Sequence, residues 1–229
     1  MYGNNKKPKA ADLKGVDVVV FDIQDVGARF YTYISTMSYV MEACAENVKE
    51  FLVLDRPNPN GFYVDGPVLE KKYKSFVGMH PVPVVHGMTI AEYAIMVNEE
   101  KWLKNGVRCA LEYVRCENYT HRDYYQLPVK PSPNLPNMTA IYLYPSLCFF
   151  EGTVISVGRG TEKPFQIYGH PGLPKIDFTF IPISIEGAKN PKLKGEICNG
   201  VDLTSMTDSA FWASELEPIL GKSPLPIDG

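Results

Sequence analysis

Apolar and polar stretches in the first part of the chain predict a strand, a helix and a second strand. The run Val18–Phe21 is continuous, apolar and mostly β-branched, and Ile23 extends it past Asp22, as is typical of a strand buried on both faces of a parallel sheet. Residues 31–47 carry apolar side chains at helical spacing, and FLVLD at 51–55 is a second short buried strand. This order forms a βαβ unit, which places both strands parallel in one sheet.

Two further elements are predicted before residue 120. The sequence TIAE at 89–92 has the pattern of a capping box, with Thr89 as N-cap and Glu92 three residues later, so a helix begins there and reaches about Leu103. Glu92 is therefore interpreted as a helix cap rather than a catalyst. The alternating sequence CALEYVRC at 109–116 predicts a third strand.

The amino-acid composition of the chain changes after residue 126. The stretch LPVKPSPNLPN at 127–137 has four prolines in eleven residues, which is typical of a linker or a rigid wall. Short apolar segments follow, AIYLYP, TVISVG and FTFIPISI, separated by glycines and prolines. The predicted fold class is α/β, with a Rossmann-like parallel-sheet domain over residues 1–130 and a smaller α+β domain over residues 131–229.

The two ends of the chain lead us to expect truncation. The first domain has one βαβ unit and one further strand, which is small for a doubly wound fold. The last residues, PILGKSPLPIDG, contain no anchoring element. We therefore expect a first domain that is incomplete at its N-terminal side and a partial second domain.

Composition excludes several classes of protein. A net charge of -3 with 21% charged residues gives no generally basic surface, so no nucleic-acid partner is predicted. No apolar run approaches the roughly 20 residues that span a bilayer, and the first residues lack the apolar stretch of a signal peptide. The five cysteines are odd in number and widely spaced, which predicts buried free thiols rather than a metal site. The oligomeric state stays open.

The first strand runs directly into Asp22, Gln24 and Asp25, at the end where open α/β sheets place their ligands. A haloacid-dehalogenase-type phosphatase would need a second aspartate where Gln24 stands, and an amide cannot donate a proton as an acid does. No G-x-G-x-x-G follows either strand, and GRGTEKP at 158–164 lacks the spacing of a P-loop. No cofactor and no metal are predicted.

Other polar side chains gather in loops rich in glycine and proline. Each by itself fits a turn residue or a surface ion pair, but together these aromatic, amide, guanidinium and carboxylate groups are typical of a sugar site. Arginine also binds a carboxylate bidentately, so the ligand of such a site can be an acidic sugar. The set comprises Arg29, Tyr31, Tyr33, Asp55, Arg56, Asn58, Asn60, His86, Ser132, Asn134, Glu151, Arg159, Thr161 and Glu162.

Seven motifs occur in a fixed order along the chain: DVVVFDIQDVGARFYTYISTM, LVLDRPNPNG, GPVL, VPVVHGMTIAEYA, PSPNLPN, YPSLCFFEGTVISVGRGTEKPFQIYGHP and CNGVDL. Together they resemble the YbbC-like family of exo-β-N-acetylmuramidases. The resemblance runs from about Tyr2 to Leu203, after which we expect it to end.

The resemblance implies a Rossmann-like domain followed by a smaller C-terminal domain, with the site in the cleft between them. It implies release of N-acetylmuramic acid from the non-reducing end of peptidoglycan fragments, and therefore an extracytoplasmic location and a sugar or muropeptide partner. That sugar carries a carboxyl-bearing lactyl group, for which Arg29, Arg56 and Arg159 are the candidate arginines.

Glycoside hydrolysis usually needs two carboxyl groups, although the acetamido oxygen of an N-acetyl sugar can replace one of them. Family members carry the favoured acid in an upstream Gly-Pro-Glu-His-Gly motif, which this chain lacks. We therefore expect Asp22 or Asp25 as the orienting or basic carboxylate, with Glu151 and Glu162 as less favoured partners. A non-catalytic fragment that binds muropeptides and a metal-dependent phosphatase are the alternatives.

Overall fold

The computed structural model of the chain describes residues 6–175 and 178–205. The chain divides into two compact units, Met1–Tyr125 and Gln126–Gly229, and each is described by itself. The domain boundary near residue 130 stays a prediction.

A parallel sheet is the centre of the first unit. Its strands lie in the order β1-β2-β3 and pair in parallel, as the sequence predicted for the first two. One helix follows each of the first two strands, and short 3₁₀ turns occupy Ala10–Leu13, Lys71–Tyr73 and Lys104–Gly106. The elements are β1 (Val18–Phe21), α1 (Tyr33–Glu46), β2 (Glu50–Leu54), α2 (Ile90–Glu99) and β3 (Ala110–Val114).

The core of this unit lies between the sheet and the two helices. Phe21, Phe51 and Val53 are buried there with the apolar faces of α1 and α2. By contrast Val18 and Val20 are 41% and 53% exposed. The expectation that the first strand is buried on both faces was therefore wrong, because the face of β1 that carries Phe21 packs in the core with the helices, while Val18 and Val20 lie on the opposite face. It also ends at Phe21, before Ile23.

The capping box at the start of α2 is confirmed. Thr89 Oγ1 accepts a hydrogen bond from the backbone N–H of Glu92 at 3.3 Å, and Glu92 Oε2 accepts from the N–H of Thr89 at 2.9 Å. The helix ends at Glu99 rather than near Leu103. Lys101 has a φ of 56°, so the backbone turns into the left-handed region there and cannot continue the helix.

The second unit combines a helix with an antiparallel sheet in the order β4-β6-β5. The apolar segment AIYLYP lies within the helix, which Asn137 caps by accepting from the N–H of Ala140 at 2.9 Å. The segment TVISVG contributes only an isolated bridge between Ser156 and Gly169. The elements are α3 (Met138–Leu147), a 3₁₀ turn (Cys148–Gly152), β4 (Ile167–His170), β5 (Phe178–Phe180) and β6 (Cys198–Asp202).

The predicted fold class is confirmed by these two units, a parallel α/β sheet and a smaller α+β arrangement. All five cysteines are free, as predicted, but Cys116 and Cys148 are only half-buried, so the expectation of buried thiols was wrong for these two. Cys44, Cys109 and Cys198 are buried, and burial raises the pKa of the Cys44 thiol to about 11. Such thiols behave as small apolar side chains.

Candidate functional site

The loops that follow β1 and β2, residues 22–31 and 55–61, are called the scaffold loops here. Gly27 forms a turn with a φ of 75°, and its N–H donates to Asp25 Oδ2 at 2.7 Å. A Cβ at this glycine would lie 2.3 Å from Asn58 Oδ1 in the other loop. The close approach of the two loops therefore requires glycine at this position.

Amide side chains join the scaffold loops to each other and to the start of α2. Gln24 Nε2 donates to the carbonyl oxygens of Asp25 and Pro57, both at 2.8 Å. Asn58 is buried, and its Nδ2 donates to the carbonyl of Met88 at 2.8 Å while its Oδ1 accepts from the N–H of Asn60 at 2.8 Å. These amides satisfy backbone groups of the fold, and their role in holding a sugar stays a prediction.

The charged residues of the scaffold loops also have partners. Asp22 and Arg56 form an ion pair, with Arg56 Nη2 2.6 Å from Asp22 Oδ1, and both side chains are more than two-fifths exposed. Arg29 is 6% exposed, and its Nη1 donates to the carbonyl oxygens of Pro67 at 2.8 Å and Val82 at 2.5 Å. The guanidinium of Arg29 thus stabilises a distant loop from inside the unit.

Asp25 lies in a buried polar cluster with His86 and Tyr93. His86 Nε2 is 3.6 Å from Asp25 Oδ2, and His86 Nδ1 accepts from the N–H of Met88 at 3.2 Å. The Tyr93 ring lies 5.0 Å from the His86 ring, and burial raises the pKa of Tyr93 strongly. His86 Nε2 is buried and faces Asp25 without a hydrogen bond, so the cluster holds a polar ring nitrogen close to a buried carboxylate.

Tyr31 and Tyr33 lie at the start of α1. Their rings contact each other at 4.9 Å in an edge-to-face arrangement, and both residues are half-buried. The stacking of a sugar on either ring stays a prediction.

The predicted site residues of the second unit are held in local turns and one ion pair. Arg159 Nη1 lies 2.7 Å from Glu151 Oε1. Ser132 Oγ accepts from the N–H of Asn134 at 3.2 Å, so these two residues share a turn.

Asn134 and Thr161 also bind backbone within this unit. Asn134 Nδ2 donates to the carbonyl of Gly187 at 3.0 Å, and Thr161 Oγ1 donates to that of Gly158 at 2.7 Å. Glu162 is exposed. The sugar-binding roles of these six residues stay predictions.

The carboxyl ends of β2 and β3 border a cavity of about 330 Å³, called the β2–β3 pocket here. Its walls come from the residue after β2, the first turn of α2, the end of β3 and the loop that follows β3. The charged and aromatic lining residues are Asp55, Glu92, Tyr113, Arg115, Tyr119 and His121. A second cavity of about 470 Å³ shares Glu92 and His121 with it and extends to His86.

Hydrogen bonds fix the carboxylates of the β2–β3 pocket. Asp55 Oδ1 accepts from the N–H of Ala91 at 2.9 Å, at the N-terminal end of α2, where the helix dipole favours negative charge. Glu92 Oε1 lies 3.0 Å from His121 Nε2, and its other oxygen caps the helix. The hydrogen bond to Glu92 is the main cause that raises the pKa of His121, which favours an imidazolium in this pair.

Aromatic rings and an arginine complete the pocket. Arg115 Nη2 donates to Tyr113 Oη at 3.3 Å, and the guanidinium carbon lies 5.5 Å from the Tyr113 ring centroid. Tyr119 Oη donates to the carbonyl of Asn58 at 3.0 Å, which fixes its ring. Rigid tyrosines, carboxylates and a cation around one cavity are typical of a site for a polar ring such as a sugar.

Asp55 lines this pocket. The other side chains proposed as site residues from the sequence do not. Sequence reasoning missed Arg115, Tyr119 and His121, and it interpreted Glu92 only as a cap. A signal was available, because the carboxyl ends of parallel strands meet at one edge of a sheet, and Arg115 directly follows β3. Applying the same rule to the third strand as to the first two would have found the pocket.

The described residues, 6–175 and 178–205, contain neither a metal-ligand cluster nor a membrane-spanning helix. In those ranges no three His, Cys, Asp or Glu side chains come together as metal ligands would. Nor does any helix there combine the length and apolar character needed to cross a membrane.

Comparison with solved structures gives two close matches. A DUF1343 family protein from Bacteroides fragilis has a TM-score of 0.87 and 55% identity, covering 90% of this chain and 58% of that one. A second DUF1343 family protein from the same organism has a TM-score of 0.82 and 31% identity, covering 96% of this chain and 61% of that one.

Comparison with curated proteins gives the peptidoglycan beta-N-acetylmuramidase NamZ of Bacillus subtilis, which is 43% identical over 219 residues. That alignment covers 89% of this chain and 52% of the relative, so the chain spans about half the length of the curated relative it matches.

Family models give the assignment. The model for the N-terminal domain of exo-beta-N-acetylmuramidase NamZ matches residues 1–139, and the model for its C-terminal domain matches residues 142–220. The second match continues past Leu203, so the expectation that the resemblance ends there was wrong. The chain belongs to the NamZ family.

Proposed function

We propose that this protein acts on peptidoglycan fragments as an exo-β-N-acetylmuramidase, releasing N-acetylmuramic acid from the non-reducing end. The observation that carries the proposal is the 43% identity, over 89% of this chain, to the peptidoglycan beta-N-acetylmuramidase of B. subtilis. Peptidoglycan lies outside the cytoplasmic membrane, so we also propose an extracytoplasmic site of action.

The β2–β3 pocket supports a sugar ligand. Its volume of about 330 Å³ falls at the lower end of the range for small-molecule sites, which suits one substituted sugar ring. Tyr113 and Tyr119 offer ring faces for the apolar side of the sugar, and Asp55 offers a carboxylate for its hydroxyls.

Binding without turnover is the second candidate, and the state of the carboxylates favours it. Both oxygens of Glu92 are engaged, one by the N–H of Thr89 and one by His121. Asp22 is paired with Arg56, and Asp25 is buried. Glycoside hydrolysis needs one carboxyl group to donate a proton and a second group that acts as base or nucleophile. These three carboxylates therefore fit orientation of the sugar better than proton transfer to it.

A chromogenic β-N-acetylmuramide assay tests the proposal, with the B. subtilis relative as positive control. Calorimetric titration of the same chain with N-acetylmuramic acid runs in parallel. Release of the chromophore together with binding supports the hydrolase. Binding with no release supports the sugar-binding candidate. Neither binding nor release, under conditions where the relative is active, overturns both.

A further inference from the structure

Arg115, at the carboxyl end of β3, is the arginine that faces the β2–β3 pocket. We propose that Arg115 determines specificity for an acidic sugar, by binding the carboxylate of the ligand while the tyrosines hold the sugar ring. The inference rests on the proposed function and assigns recognition of the ligand carboxylate to Arg115.

The arginines predicted from the sequence for this task have other partners. Arg29 is buried and donates to backbone carbonyls, Arg56 pairs with Asp22, and Arg159 pairs with Glu151. A carboxylate of the protein already compensates the charge of Arg56 and of Arg159, and Arg29 is buried away from a ligand.

Arg115 differs from these three in both exposure and partners. It is exposed, and within the described part of the chain it forms no ion pair with a carboxylate. One terminal nitrogen donates to Tyr113 Oη at 3.3 Å, which orients the planar group over the Tyr113 ring. The remaining N–H donors form the flat fork that matches a carboxylate bidentately, which is the geometry that makes arginine specific for such groups.

The acidic lining of the pocket does not exclude an anionic ligand. Asp55 accepts from the N–H of Ala91, and the positive end of the α2 dipole lies beside it. Glu92 forms an ion pair with His121. The charge of each carboxylate is thus partly compensated by a neighbour within the protein. Asp55 and Glu92 also attract Arg115, but it forms no ion pair with either, so its guanidinium is open to a ligand.

The two sugars of peptidoglycan differ at a group that Arg115 can distinguish. N-acetylmuramic acid carries a lactyl ether with a carboxylate, and N-acetylglucosamine has a hydroxyl at the same position. A single arginine placed for the carboxylate discriminates between them, because the hydroxyl sugar leaves the guanidinium without a charged partner. Removal of the guanidinium should therefore remove the discrimination and leave ring binding intact.

Calorimetry on the full chain tests this with three probes: N-acetylmuramic acid, its methyl ester and N-acetylglucosamine. The wild type should bind the acid about tenfold more tightly than the other two, as expected for one charge-assisted contact at an exposed site. Arg115→Gln should bind all three equally, at the affinity of the wild type for N-acetylglucosamine. Arg115→Lys should keep part of the preference, since it keeps the charge but not the fork.

Arg122→Gln is the matched control, because Arg122 is exposed, lies in the same loop and does not line the β2–β3 pocket. It should bind all three probes as the wild type does. If Arg115→Gln keeps the preference for the acid, or weakens all three probes equally, the inference is wrong while the proposed function stands. If the wild type binds none of the probes, the inference is wrong, and release of the chromophore in the β-N-acetylmuramide assay then decides the proposed function separately.

Discussion

The scaffold loops after β1 and β2 and the loop after β3 carry the same kinds of polar side chain, yet the fold uses them differently. In the scaffold loops Asn58 and Arg29 are buried, and their donors bind backbone carbonyls. After β3, Arg115 and His121 are exposed and line a cavity. The residue type alone therefore does not distinguish a ligand contact from a structural one. The discriminating property is whether backbone groups from distant segments have already taken its hydrogen bonds.

If this comparison holds, changes in the scaffold loops should lower stability, and changes in the loop after β3 should alter ligand binding with little loss of stability. The following four variants test it in the scaffold loops, at the start of α2 to which Asn58 joins them, and in the loop after β3, from the largest expected effect on stability to the smallest.

Asn58→Ala should cost about 3 kcal/mol of unfolding free energy, because the carbonyl of Met88 and the N–H of Asn60 both lose their partner inside the protein. Urea denaturation measures the loss. Asn190→Ala, at an exposed asparagine, is the control and should be within about 0.5 kcal/mol of the wild type. Equal stability of the two variants would contradict a scaffold role for Asn58.

Gly27→Ala should cost about 2 kcal/mol, since φ is 75° and the new Cβ would meet Asn58 Oδ1 at 2.3 Å. Gly152→Ala is the control, as a Cβ there meets no atom within 4 Å. The double variant with Asn58→Ala should cost less than the sum of the single changes, because the clash disappears with the Asn58 side chain. Strict additivity would show that the two loops do not meet as described.

Thr89→Ala should cost about 1 kcal/mol, because the first turn of α2 loses the hydroxyl that accepts from the N–H of Glu92. Thr89→Ser keeps the hydroxyl and should restore most of the loss in the same denaturation experiment. A failure of serine to rescue would mean that the methyl group of this buried residue, rather than its cap, matters.

His121→Gln should have the smallest effect, at most about 0.5 kcal/mol, because the ion pair with Glu92 is nearly half exposed and screened by solvent. The pKa of His121 is raised above its ordinary value of 6.5, mainly by the hydrogen bond to Glu92. The stabilisation is then fully present below that ordinary value and is lost as the pH rises through the raised one.

The thermal midpoints of the wild type and His121→Gln should therefore differ at about pH 6 and converge at about pH 9. A difference that is constant across this range would assign the effect to packing of the ring rather than to its charge.

Local features of the fold were readable from the sequence. The apolar run of β1 and the capping box of α2 depend on residues within a few positions of each other, and both occur as predicted. The limit of the β1 prediction is also instructive. A continuous apolar run does not show which faces of a strand are covered, and Val20 is half exposed because it lies on the face of β1 opposite to the core.

The candidate site was only partly predictable. The rule that ligands bind at the carboxyl ends of parallel strands points to the edge of the sheet where the β2–β3 pocket lies, and Asp55 lines that pocket. The rule does not say which side chains at that edge are free. Glu92 was correctly identified as a cap from its spacing to Thr89, but its contact with His121, 29 residues later, is not encoded in any local pattern.

The sequence by itself determined the family, the parallel β1 and β2 with the helix between them, and the cap of α2. The two structural features depend on patterns of neighbouring residues, and the family depends on long motifs that occur in a fixed order along the chain. Only the tertiary structure decided between Arg29 and Arg115, both arginines in loops that follow a strand. The carbonyls that engage Arg29 belong to residues 38 and 53 positions away. No local pattern records their approach, because it results from packing of the whole unit, and that packing leaves Arg115 as the arginine facing the pocket.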